Sequence, residues 1–162
     1  MIPYRGPELL GDEHNTDDFD CGDDALDDWL RRLARRNQRE RSSRVWVVAE
    51  AGRVVAFYAS STAVIARIEA TTRAARNQPD PLPAMLLGRL AVHREHQGHG
   101  LAAALLKHFL LKALEVAEVT GVRLVLVHAK NDQAANFYRH YGFDPSPIDD
   151  LTLMLLIKDV QA

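Results

Sequence analysis

The sequence predicts an α/β fold, a mixed central β-sheet flanked by helices in a single domain. Three observations carry that prediction. Short apolar runs recur at residues 86–92, 122–129 and 151–157, and runs of this length bounded by turn residues suit buried strands. Stretches after residues 23, 100 and 131 instead space their apolar residues by three and four, as amphipathic helices do. The chain has 162 residues, enough to bury one core of ordinary size.

Composition narrows the class of protein. Hydrophobic residues at 47% and charged residues at 26% describe a soluble globular chain. The net charge of −2 gives no overall pull toward nucleic acid or membrane, so such an affinity has to come from a local patch. Cys21 is the single cysteine, which excludes an intramolecular disulfide; nothing suggests a metal site with thiolate ligands, and no metal is expected. The first twenty residues are acidic and lack the apolar segment of a signal peptide. No run approaches the ~18 apolar residues of a membrane span. The expected location is cytoplasmic.

Taken in order, residues 1–22 carry two prolines and little periodicity, and predict at most one short strand before a loop. From Asp23 the pattern is helical: Leu26, Trp29, Leu30, Leu33 and Ala34 form an apolar stripe. Aspartates crowd the start of that helix and arginines its end, as the helix dipole favours. The dipole accounts for two or three arginines only. Arg32, Arg35, Arg36 and Arg39 fall on one face opposite the stripe, where their mutual repulsion opposes the helix. A surplus of guanidinium groups on one face suits phosphate, which each fork binds at two points, although a merely solvated face reads the same way.

Residues 42–50 and 54–61 are rich in β-branched and aromatic residues and flank Ala51-Gly52-Arg53, which predicts a hairpin. Residues 66–83 contain three prolines and three arginines and predict a long loop with one short helix. A strand at 86–92, a helix at 100–119, a strand at 122–129, a helix closed by Gly142 and a last strand at 151–157 complete the chain. The expected order is helix, hairpin, strand, helix, strand, helix, strand.

Two stretches carry chemistry. The first is the turn at residues 93–100, placed between a strand and a helix. The first N–H groups of a helix have no partner within it and sit at the positive end of its dipole, so such a turn is suited to a phosphate. Gly98 and Gly100 let the backbone approach the anion. A nucleotide-binding P-loop is excluded, because Leu101 and Ala102 stand where Lys and Ser or Thr are needed. A dinucleotide-binding turn fits the glycines loosely, but its acidic partner is due about 20 residues on, and Asp132 lies about 30 residues on. The second stretch is residues 131–143, in which Asn131 or Asp132 caps a helix that ends in Phe137-Tyr138 and Gly142-Phe143. Taken alone, Tyr138 also reads as a half-buried tyrosine filling a gap between helix and sheet.

Gln97-x-x-Gly100-x-Ala102 resembles the pyrophosphate loop of the GNAT family of N-acetyltransferases, and Phe137-Tyr138-x-x-x-Gly142-Phe143 resembles the helix end that the same family carries downstream. The resemblance extends to Phe19-Asp20-Cys21-Gly22, Trp29-Leu30, Asn37-Gln38, Ser43-Arg44, residues 87–92 and residues 118–122. Together these look like the acetyltransferase toxins of bacterial toxin–antitoxin pairs. Departures are modest. Ala102 stands where many relatives carry glycine, and residues 56–66 lack the glycines often found in the second hairpin strand.

This resemblance implies the GNAT fold and transfer of an acetyl group from acetyl-CoA to the α-amino group of an aminoacyl-tRNA, which blocks translation. It implies a ribbon-helix-helix antitoxin encoded nearby, a possible homodimer and no membrane partner. By position in the motifs, the backbone of Leu90, Ala91 and Val92 meets the pantetheine arm, and Asn131 reaches it as well. Gln97, Gly98, His99, Gly100, Leu101, Ala102 and Ala103 hold the pyrophosphate. Tyr138 protonates the departing thiolate. Arg32, Arg35, Arg36, Arg39, Arg44 and Arg89, with the loop around residues 67–76, meet the tRNA phosphates. An α-amino group titrates near ~7.7–8.0, so much of it is already neutral, and no general base is singled out. His93, His96, His99, His128 and Glu50 are the groups able to relay a proton. Two other readings stay open, an N-acetyltransferase of a small amine or protein N-terminus, and a non-catalytic acetyl-CoA-binding module.

Overall fold

The computed structural model describes residues 3–160. Seven strands form a mixed sheet in the order β1-β2-β3-β4-β5-β7-β6, made of β1 (Tyr4–Leu9), β2 (Arg44–Glu50), β3 (Arg53–Ile65), β4 (Leu82–Val92), β5 (Leu124–His128), β6 (Asp144–Ser146) and β7 (Asp149–Leu156). The chain divides into two compact units. One comprises residues up to Ser61 with Gly88–His108, and the other Thr62–Leu87 with the residues from Phe109 onward.

In the first unit β1, β2 and β3 pair antiparallel. Ala51 and Gly52 join β2 to β3 with positive φ of 51° and 79°. This two-residue turn matches the strand twist and holds Glu50 opposite Arg53. The N-terminal helix is interrupted: α1 (Asp24–Asp28) leads through a π-helical turn (Trp29–Leu33) into α2 (Ala34–Arg39). Asp23 caps it, accepting from the Ala25 and Leu26 N–H groups. Within the π turn the Ala34 N–H donates five residues back, to the Trp29 carbonyl. Trp29, Leu30 and Ala34 are buried with Phe19, Val45, Val47 and Phe57. Trp29 stacks on Phe57 with ring centroids 6.0 Å apart.

That extra residue in the turn corrects the expected helix. In a regular helix Leu33 completes the apolar stripe and Arg35 joins the arginine face. The π turn rotates everything after it by about one position, roughly 100°. Leu33 is therefore exposed, at 44%, and Arg35 is turned toward the protein. Its guanidinium donates to the carbonyls of Gly11 (3.2 Å) and His14 (2.5 Å) and to the Thr16 hydroxyl (3.4 Å). Arg32, Arg36 and Arg39 remain exposed.

In the second unit β4 and β5 run parallel, from Ala84 opposite Leu124 to Leu87 opposite Val127. β5 and β7 pair antiparallel from Leu124 opposite Leu156 to His128 opposite Thr152, and β6 adds to β7. Leu124 to Val127 are all buried, as in a strand covered on both faces. The expected strand at 86–92 begins earlier, at Leu82, because Pro83 joins it through its carbonyl, which accepts from the Arg123 N–H at 2.9 Å. The expected loop before it holds a 3-10 turn (Arg67–Glu69) and the short α3 (Thr72–Ala75), whose Ala74 and Ala75 are buried with Leu124 and Met154. The two remaining helices are α4 (Leu101–Ala117) and α5 (Asp132–His140). Among the described residues no helix is long and apolar enough to cross a membrane.

The rotated helix makes a prediction for the arginines. Arg35→Ala leaves two carbonyls and a hydroxyl without their donor and lowers stability by about 1–3 kcal/mol, whereas Arg32→Ala stays within about 0.5 kcal/mol of the parent. Urea unfolding of both variants checks this, and equal midpoints contradict it.

Candidate active site

The first unit brings together the candidate cofactor residues of β4, the following turn and α4. Ala91 is buried and Leu90 and Val92 are half-buried at the end of β4. The turn after Val92 is tied down by its backbone: the His93 N–H donates to the Val55 carbonyl at 2.8 Å and the Arg94 N–H to the Asp20 carbonyl at 2.9 Å. The Arg94 guanidinium pairs with the Asp20 carboxylate at 2.7 Å and holds that carboxyl below its ordinary range. A 3-10 turn (Arg94–His96) follows, and the Tyr4 hydroxyl meets His96 Nδ1 at 2.8 Å. The Gln97 carboxamide donates back to the Val92 carbonyl at 3.3 Å, closing the turn on its own strand.

Gly98 and Gly100 have φ of +83° and +78°, the left-handed region that glycine adopts without strain. A Cβ at either position meets nothing within 4 Å, so the backbone conformation requires these glycines and packing does not. The first N–H to bond back along α4 is that of Ala104, to the Gly100 carbonyl at 3.1 Å. The N–H groups of Leu101, Ala102 and Ala103 precede it, and no acidic residue occupies the first turn. Their positive potential is unopposed by a nearby carboxylate, which is the condition for binding a phosphate.

The second unit holds Asn131 and Tyr138 at the two ends of α5. The Asn131 carboxamide oxygen caps the helix, accepting from the Ala134 N–H at 2.9 Å, so its NH2 group takes no part in the cap. The far end explains the spacing of the Tyr-x-x-x-Gly-Phe motif. The Gly142 N–H donates to the Arg139 carbonyl at 3.0 Å and the Phe143 N–H to the Tyr138 carbonyl at 3.2 Å. These are the two bonds of a Schellman closure, with Gly142 left-handed at φ +96°. Such a closure sets the first residue beyond the glycine against the residue five before it. Here the Tyr138 and Phe143 rings lie 5.6 Å apart. Tyr138 is buried, and loss of solvent pushes its phenol up to about 12. The phenol therefore stays protonated across the physiological range.

At the C-terminal end of β5 a third feature escaped the sequence motifs. His128 Nδ1 lies 3.2 Å from the Thr152 hydroxyl, which donates to the Asp149 carboxylate at 3.0 Å. Asp149 is held below its ordinary carboxyl range, first by the Leu151 N–H and then by Thr152. Only the strand register brings these residues together. The remaining histidines of the expected relay, His93, His96 and His99, all lie along the turn after β4, and Glu50 ends β2.

The candidate phosphate contacts divide. Arg32, Arg39 and Arg44 are exposed, and Arg36 pairs with Glu40 at 3.3 Å. Arg35 serves the turn at residues 11–16, a correction to the expected four-arginine face. Arg89 lies over the Trp29 ring, 4.1 Å from its centroid, and partial burial holds its guanidinium below the usual value. A cation so placed is oriented by the ring. Among the described residues no group of three His, Cys, Asp or Glu side chains is placed to hold a metal ion.

Comparison with known proteins identifies the family. Residues 41–145 match the family model described as an acetyltransferase (GNAT) domain. A tRNA-acetylating toxin of Mycobacterium tuberculosis is 43% identical over 162 residues, covering 100% of this chain and 98% of that protein. The structure of AtaT complexed with acetyl-methionyl-tRNAfMet superposes with a TM-score of 0.87 at 25% identity, over 98% of this chain and 96% of that one. A structure of AtaTR bound with AcCoA shares the fold, with a TM-score of 0.81 at 24% identity over 97% and 94% of the two chains. This chain is a member of the GNAT family of acetyltransferases.

Proposed function

We propose that this protein is a toxin that transfers the acetyl group of acetyl-CoA to the α-amino group of an aminoacyl-tRNA and so blocks translation. The observation that carries the reading is the 43% identity to a tRNA-acetylating toxin over essentially the full length of both chains. A ribbon-helix-helix antitoxin neutralises it, it acts in the cytoplasm, and it works as a homodimer.

The turn after β4 binds the pyrophosphate of acetyl-CoA through the backbone of Gln97, Gly98, His99 and Gly100 and the first N–H groups of α4, at Leu101, Ala102 and Ala103. Leu90, Ala91 and Val92 offer strand backbone to the pantetheine arm, as to an added strand, and the Asn131 NH2 group donates to the same arm. The amine attacks the thioester carbonyl directly, with no covalent enzyme intermediate. The C–N bond forms, the C–S bond breaks, and the Tyr138 hydroxyl gives its proton to the departing sulfur. Arg32, Arg36, Arg39 and Arg44 supply exposed cations for the tRNA backbone, and Arg89, steadied on Trp29, supplies another.

Adding the purified protein to a cell-free translation reaction tests the function. Translation stops only when acetyl-CoA is also present and resumes on addition of fresh aminoacyl-tRNA. Arrest without acetyl-CoA refutes the reading. Tyr138→Phe lowers kcat by about 10²-fold or more in a stopped assay of acetyl transfer while acetyl-CoA affinity, measured by calorimetry, is retained. With the phenol pushed up to about 12, raising the pH does not remove its proton. The rate therefore rises as the acceptor amine loses its proton near ~7.7–8.0 and shows no fall up to about pH 9. A descending limb below that pH contradicts Tyr138 as the donor. The triple replacement of Arg32, Arg39 and Arg44 by Ala weakens binding of charged tRNA, reduces the slope of log affinity against log salt by roughly 0.7–0.9 per lost phosphate contact, and leaves acetyl-CoA binding intact.

A further inference from the structure

Direct transfer leaves one proton without a destination. When the amine nitrogen bonds to the carbonyl carbon it becomes a cationic centre, and its proton has to leave before the amide is complete. Tyr138 is protonated and gives a proton to sulfur, so it does not take this one. Resting on the acetyl-transfer reading above, we propose that His128 is the catalytic base that accepts the proton from the attacking amine, and that Thr152 and Asp149 are positioning residues that fix its tautomer.

The hydrogen bonds determine which nitrogen is free. The single proton of the Thr152 hydroxyl is given to Asp149 Oδ2 at 3.0 Å. Its oxygen is then an acceptor toward His128 Nδ1, 3.2 Å away, which places the imidazole proton on Nδ1. Nε2 is left with its lone pair, and His128 is exposed. A base held by a second group that is itself held by a carboxylate is the general arrangement for an oriented imidazole. The carboxylate is firmly ionised: Asp149 also accepts the Leu151 N–H at 2.9 Å, and both bonds hold it below its ordinary range.

Position favours the role as well. His128 is the last residue of β5, a strand with a parallel neighbour, and ligands of α/β sheets bind beyond the carboxyl ends of such strands. Three residues later Asn131 begins the helix that carries Tyr138. The register pairs His128 with Thr152, Leu126 with Met154 and Leu124 with Leu156. That face of the sheet packs on Ala70, Ala74 and Ala75. The alternate face carries Leu155, which approaches Gly142 at the end of α5. His128 and the Gly142 end of α5 thus lie on opposite faces of the β5–β7 pair. Nε2 takes the N–H proton directly or through one water, Tyr138 gives its proton to sulfur, and exchange with solvent returns the imidazolium and phenolate to their starting states. The net change is one proton from amine to thiol.

The test compares His128→Asn, His128→Ala, Thr152→Val and Thr152→Ser in single-turnover acetylation of charged tRNA, with acetyl-CoA affinity and thermal unfolding measured on each. His128→Asn keeps a donor toward Thr152 and lacks the base, and it loses about 10²-fold in rate with acetyl-CoA affinity unchanged. Imidazole added to His128→Ala restores part of the rate. Thr152→Val slows the reaction about tenfold, and Thr152→Ser recovers it. A wild-type protein that acetylates charged tRNA beside a His128→Asn variant within about threefold of it overturns the base assignment alone, as does a failure of imidazole to rescue His128→Ala. A wild-type protein that transfers no acetyl group overturns the proposed function, and the base assignment falls with it.

Discussion

β5 is hydrogen-bonded along both edges, parallel to β4 and antiparallel to β7, and Leu124 to Val127 are buried. A strand so enclosed has no room for a polar side chain, because an unpaired buried polar group costs more than the fold can spare. Chemistry starts only where the strand ends. At that end the chain changes character within a few residues, from Val127 to the exposed His128 and then to the cap at Asn131. The register that buries Leu126 and Met154 on one face also sets His128 against Thr152. The packing of the strand and the placement of His128 beside Thr152 are therefore fixed by one set of backbone bonds.

Elsewhere the candidate site depends on backbone conformation more than on side-chain packing. Gly98 and Gly100 hold the turn before α4 open, and Gly142 closes α5 so that Tyr138 rests against Phe143. Each glycine adopts a φ that costs an ordinary residue roughly 1–2 kcal/mol. Tyr138 is buried, and the lost solvent raises its pKa in the direction that keeps the proton in place. The two glycine-containing motifs thus serve different ends, one shaping the turn before the first N–H groups of α4 and the other fixing a single side chain.

Much of this was legible in the residues. The strand-turn-helix at 86–119 and the Phe137-Tyr138 with Gly142-Phe143 motif were readable because glycine punctuation and apolar period agree there, and the GNAT family followed from the two motifs in order. The arginine face was misread at one point. A helical wheel assumes 3.6 residues per turn throughout, and the π turn at Trp29–Leu33 has no compositional signature, so Arg35 moved inward and Leu33 outward. The early start of β4 was hidden by Pro83, which sequence reasoning assigns to a loop but which still offers its carbonyl. His128, Thr152 and Asp149 were invisible as a group. They lie on two strands whose pairing is a tertiary fact, and no spacing along the chain reports it.

In the proposed reaction the acetyl group ends on the α-nitrogen of an amino acid attached to tRNA. Its most direct measurement is mass spectrometry of the 3′-terminal aminoacyl-adenosine, released by nuclease from total charged tRNA after incubation with the protein and acetyl-CoA. The expected result is one acetyl group on the α-amino nitrogen of at least one aminoacyl species, absent when acetyl-CoA is omitted. Unmodified aminoacyl-adenosine throughout, with acetyl-CoA consumed by a small amine or a protein N-terminus in the same mixture, contradicts it.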